Sequence, residues 1–182
     1  MVFPMNTRMM TILQLIPFSG FGLVYRLTQL DKPDWGLAFV VGGCLAVIGT
    51  GVPLLRQVRL NRIFLGVNVF LVIGGMGFLL QIEPVTRLYG TLMQAAIFCS
   101  LSLVGIFTTF FTKDGFIGVN NPNRRLVVLY SLYLLCASAA AFAFSLQFPG
   151  EIVLAGALPF SGILILSHLL SRNLRQPNTD AR

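Results

Sequence analysis

The chain contains one histidine, His168, and any acid–base chemistry would be built around it. It stands four residues before Arg172, near the end of an apolar run. An imidazole there can hydrogen-bond a helix's last carbonyls and complement the helix's negative end. Catalysis asks for more: a base, a nucleophile or a metal held in geometry with a partner group. Arg172 is the only titratable neighbour in that run, so His168 is expected to finish a helix, and no enzymatic activity is expected. Cys44, Cys99 and Cys136 lie inside apolar runs, with no CxxC spacing and no Cys/His cluster for zinc, haem attachment or disulfide exchange. They are expected to behave as small hydrophobes. Asp31, Asp34, Glu83 and Glu151 lie between the runs, and nothing in their spacing fixes the geometry a bound cation requires. No metal and no cofactor is expected.

Two further patterns place polar or helix-breaking residues within apolar sequence. The tetrapeptide PFSG occurs at 17–20 and again at 159–162. A proline inside a helix removes a hydrogen bond and bends the chain, and paired Pro/Gly interruptions mark the binding sites of some transporters. Pro17, Ser19, Pro159 and Ser161 are therefore candidate positions. They are expected to bend two helices that touch near the bilayer midplane, with the serines bonding nearby backbone carbonyls. Asn68, Gln94 and Ser100, together with Gln14 and Ser102, are the polar groups at depth. Each can bond a neighbouring helix, for a fraction of a kcal/mol up to about 2. Transporters and pumps usually place ionisable groups at mid-depth. Here the centres of the apolar runs are uncharged, so bonding between helices is expected of these groups rather than substrate binding.

The elements that carry these residues follow from composition. Of the 182 residues, 55% are hydrophobic and 10% charged, with a mean hydropathy of +0.82. A soluble domain carries about a quarter charged residues. Apolar runs of a length that crosses a bilayer as helix recur along the chain. The expected class is an all-α, polytopic membrane bundle of six transmembrane helices, at about 9–28, 35–55, 63–81, 87–111, 126–146 and 152–171. They form one membrane domain over 1–182, closed by a disordered cytoplasmic tail at 172–182. The net charge of +7 does not point to nucleic acid, because the basic residues are spread over short loops.

Those loops set the orientation. Arg8, Arg56, Arg59, Arg62, Lys113, Arg124, Arg125, Arg172, Arg175 and Arg182 fall on one side of a six-span chain, ten of its thirteen basic residues. Arg26, Lys32 and Arg87 fall on the other. Short basic loops stay cytoplasmic, so both termini are expected inside, in a plasma (inner) membrane. A rival reading takes the first run as a cleaved signal peptide, with Arg8 before it and Gly20-Phe21-Gly22 as a small-x-small site. That would leave the orientation of the remaining helices unchanged. Trp35 and Tyr89 are expected as anchors at outer helix ends, and Phe110 and Phe111 at an inner one. The 112–125 loop is rich in turn formers, and its apolar centre, 115–119, is expected to dip into the interface or to meet a partner. Small residues four apart, Gly42, Ala46 and Thr50, or Ala137 and Ala141, suit close helix packing.

These features lead to a non-catalytic accessory, assembly or regulatory component of a membrane complex. Its expected partners are the bilayer, anionic lipid headgroups at the cytoplasmic loops and other membrane subunits. A small channel or uniporter for an uncharged or weakly polar solute is the alternative.

Overall fold

Apolar runs become helices here because in hydrocarbon a helix bonds all of its own peptide groups. The computed structural model of the protein describes residues 7–28, 35–56, 58, 60–92 and 94–175, with side chains from Gln14 onward. Every regular element among them is helical: α1 (Thr7–Thr28), α2 (Trp35–Leu55), α3 (Arg62–Leu79), α4 (Glu83–Leu92), α5 (Ala95–Phe111), α6 (Arg124–Ser145), and a π-helical turn (Ile152–Ala157) that runs into α7 (Leu158–Arg175). Among the described residues four helices are long and apolar enough to cross a membrane: α2, α3, α6, and α7 with its π-turn. A fifth is reached if the broken pair α4 and α5 counts as one span.

The break between α4 and α5 departs from the single helix expected over 87–111. α4 starts earlier, at Glu83-Pro84, where an acid in the first turn and an early proline suit a helix start. α7 also continues to Arg175, into the segment expected to be a disordered tail, while 176–182 lie outside the described residues.

The chain forms two compact units, Met1–Thr91 and Leu92–Arg182. In the first, α2 packs between α1 and α3. Glycine makes this possible: a Cβ added at Gly75 would lie 2.7 Å from the Phe39 carbonyl oxygen and 3.4 Å from the Gly43 Cα. Phe39, buried, then becomes an aromatic hub, with ring centroids 4.9 Å from Phe21, 5.3 Å from Phe70 and Phe78, and 5.2 Å from Tyr89. Tyr89 is buried and donates its hydroxyl to the Phe70 carbonyl at 2.8 Å. It is a core residue rather than the interfacial anchor expected from its place in the sequence, and it draws α4 onto this unit.

In the second unit the buried residues of α6 are Val127, Ser131, Leu134, Ser138, Ala141 and Ser145. Their alternating spacing of four and three makes a coiled-coil-like seam with serine at every other position. Gly105 of α5 lies against Leu135 of α6 and against the Phe116 ring. The 112–123 loop folds back beneath them, burying Phe116, Ile117 and Val119. Gly115 adopts φ +60°, and the Ser131 hydroxyl occupies the space a side chain would need. That hydroxyl accepts from the Ile117 amide at 3.2 Å. The apolar centre of the loop is thus part of the unit's own core rather than a segment held out for the interface or a partner.

The close approach at Gly75 gives the first prediction. Gly75→Ala is expected to cost about 1–3 kcal/mol of stability through overpacking. Gly51→Ala, whose added Cβ meets nothing within 4 Å, is expected to cost none. Unfolding of the two purified variants in the same detergent checks the difference.

Candidate functional site

The polar residues at depth fall into two groups, one in each unit. In the first, Asn68 of α3 is 3% exposed, and its Nδ2 donates to the Thr50 hydroxyl of α2 at 2.8 Å. Its Oδ1 is buried with no partner. Gln14 of α1 is also buried, and its Oε1 accepts the Asn61 amide at 3.3 Å. Asn61 in turn caps α3 by accepting from the Ile63 amide at 3.0 Å. Asn68 ties α3 to α2, and Gln14 ties α1 to the start of α3.

In the second unit Gln94 directly precedes α5, and its Cγ packs 3.6 Å from the Cβ position of Gly156 in the π-turn. Ser100 is buried. Ser138 donates to the Leu134 carbonyl at 3.0 Å. Gln94 Oε1, Ser102 Oγ and Ser145 Oγ are buried without partners. The polar residues buried along α6 are Ser131, Ser138 and Ser145, so the seam is lined by uncharged oxygens. Its chemistry is hydrogen bonding, with serine volumes small enough to let the two helices approach. Asn68 belongs to one unit, Gln94 and Ser100 to the other.

The two PFSG copies occupy unlike settings. Pro17 is fully buried within the continuous α1, and the Leu45 side chain lies against Gly20 where a side chain would stand. Pro159 is half-buried in the first turn of α7, directly after the π-turn, and a Cβ at Gly162 would meet nothing within 4 Å. Ser19 and Ser161 are both exposed, each on its own unit. Only the second copy departs from regular α-helix. The Leu158 amide reaches back five residues to the Val153 carbonyl, opening the helix just before the proline ring.

His168 is exposed on α7, one turn before Arg172. Among the described residues no three His, Cys, Asp or Glu side chains come together. Cys44 and Cys136 are exposed and Cys99 half-buried, so two of the three cysteines face out of the protein instead of filling its interior. Expected acid positions Asp31 and Asp34 lie outside the described residues.

Three groups were not singled out by sequence reasoning. Thr50 was read only as a small residue. Ser131, Ser138 and Ser145 recur every seven residues, a spacing that would have revealed the seam. Arg124 was read as a topology charge, yet its guanidinium donates to the carbonyls of Thr109 at 3.1 Å, of Phe110 at 3.5 Å, and of Thr112. It caps the C-terminal end of α5, where a cation also meets the negative end of the helix.

The Asn68–Thr50 pair yields the second prediction. Thr50→Val removes the acceptor and leaves Asn68 wholly unpaired, so it is expected to cost about 1–2 kcal/mol. Adding Asn68→Leu should recover part of that loss, because both polar partners are then gone. A double-mutant cycle on detergent-solubilised protein measures this. Set beside known proteins, the chain matches no family model, no curated protein and no solved structure.

Proposed function

We propose that the protein is a non-catalytic accessory or assembly component of a membrane complex, and that it docks a partner helix on the outward face of α7. The observation that supports this is the make-up of that face. Only 17% of the apolar stretch of α7 and its π-turn is buried, against 56% in α3. Its exposed side carries Leu158, Ser161, Gly162, Ile165 and His168. Facing lipid, Ser161 could bond only its own helix, and His168 would lack a hydrogen-bond partner. A partner helix supplies one, and Gly162 beside Ser161 allows its backbone to come close.

The proposal includes a topology: six spans, with α4 and α5 sharing one, and both termini on the cytoplasmic side of a plasma membrane. The placement of ten of the thirteen basic residues on one side supports it.

Two experiments test these points. Gly162→Leu should leave the chain's own fold intact, since its side chain enters open space. It should also abolish co-purification of the partner from mild-detergent extracts of the native host. Retention of the same partner by the variant would overturn the docking face. Reporter fusions in the 112–125 loop and after Arg175 should read cytoplasmic, and a fusion at Glu151 external; an external C-terminus would overturn the topology.

A further inference from the structure

Among the described residues, the unpaired cations of the second unit lie at one end. Asn121 Nδ2 donates to the Leu174 carbonyl at 2.9 Å, which pins the last turn of α7 to the 112–123 loop. Leu174 is buried at that junction. The same bond brings Arg172 and Arg175 of α7 to the end that already holds Lys113, Arg124 and Arg125. Arg124 is engaged with the end of α5. Lys113, Arg125, Arg172 and Arg175 are exposed, and Asp114 is the only carboxylate among the described residues there. These four cations therefore stand at one end of the unit, with a single described acid to offset them.

An apolar collar adjoins this cationic rim. Phe110 and Phe111, at the end of α5, are 62% and 75% exposed, and Phe111 stacks on Phe107 with ring centroids 4.9 Å apart. Leu169, one turn before Arg172, is also exposed. A free phosphate would use the cations and ignore the collar. A phospholipid uses both, its headgroup phosphate against the guanidinium and ammonium groups and its acyl chains along the phenylalanines.

We infer that this rim is a binding site for an anionic phospholipid, with Lys113, Arg125, Arg172 and Arg175 holding the headgroup. The inference rests on the chain being a membrane protein but not on its orientation. An external C-terminus would overturn the proposed topology and leave this site standing. The folded loop is what makes it a site rather than four separate charges. Phe116, Ile117 and Val119 anchor the loop from below, and Asn121 fixes the distance to α7.

The test uses the full chain in a nonionic detergent, stripped of lipid, with thermal unfolding as the readout. A short-chain phosphatidylglycerol is expected to raise the midpoint by several degrees, and the rise should shrink with added salt. Phosphatidylcholine of the same chain length and inorganic phosphate are each expected to raise it far less. The triple variant Arg125→Gln/Arg172→Gln/Arg175→Gln should lose most of the shift while Arg87→Gln, in α4 of the chain's other unit, keeps it. Should the triple variant fail to fold, Lys113→Gln and Arg175→Gln singly are compared for phosphatidylglycerol retained in native mass spectrometry, each expected to retain less than wild type. Equal stabilisation by phosphatidylcholine would show that the cations do not select the lipid. A full response to inorganic phosphate would reduce the site to an anion patch. An undiminished shift in the triple variant, or undiminished lipid retention in the single ones, would place the lipid elsewhere. Any of these overturns the inference.

Discussion

A peptide group in hydrocarbon has no water to bond, and that constraint governs where this chain can end, bend and turn. Its helix ends show the consequence. α3 opens on an asparagine cap whose own amide is bonded by Gln14 of another helix. α5 closes under the Arg124 guanidinium, while Thr108, Thr109 and Thr112 return hydroxyl bonds to carbonyls one turn earlier, at 2.7 Å each. Before Pro159 the helix opens into a π-turn. There the proline cannot donate, and in α-geometry its ring would press on the carbonyl four residues back. In each place a side chain or a local change of pitch replaces a bond that water would supply in a soluble protein.

Satisfied backbones alone do not hold helices together. Lipid tails are as apolar as leucine, so association rests on close packing and on bonds between helices. The first unit uses backbone proximity at Gly43 and Gly75, and the aromatic cluster on Phe39 fills the wider spaces on either side. The second unit uses serines. Along α6 they alternate with Val127, Leu134 and Ala141, giving a seam narrow enough for α5 and polar enough to bond carbonyls locally. The two devices differ in what they leave over. The first unit leaves Asn68 Oδ1 and Arg62 Nε buried without partners, and the second leaves oxygens at Gln94, Ser102 and Ser145.

The class of the protein was legible because it depends on bulk composition and on run length, which survive any detail of packing. The ends of α2, α3 and α6 fell within a few residues of expectation, since each is set by a change from apolar to polar sequence. The α4–α5 break was not legible in the same way. The run through Leu88, Tyr89 and Leu92 is apolar enough to continue, and Tyr89 reaching the Phe70 carbonyl is a tertiary bond that no local pattern announces. The folding-back of 115–119 was hidden for a similar reason, because an apolar pentapeptide in a polar loop suits an interface and a core equally well until Ser131 is seen to receive it. The repeated PFSG was legible as sequence, and its two copies have unlike surroundings. They differ in burial, helix type and the space around their glycines, because those properties come from neighbours and not from the tetrapeptide.

What the interior uses and what the surface retains point in different directions. Asn68, Gln14, Ser138 and Thr109 find their partners inside the chain and serve its assembly. Among the described groups at the surface are Ser161, Gly162 and His168 on α7, and Lys113, Arg125, Arg172 and Arg175 at one end of the second unit. Neither set pairs an acid with a base or a nucleophile. The first offers hydrogen bonds and room for a backbone, which is what a neighbouring helix takes up. The second offers positive charge beside apolar collars, which is what a phospholipid takes up. Both sets lie on α7 or adjoin it, and the Asn121 bond couples the end of that helix to the loop that orders the rim.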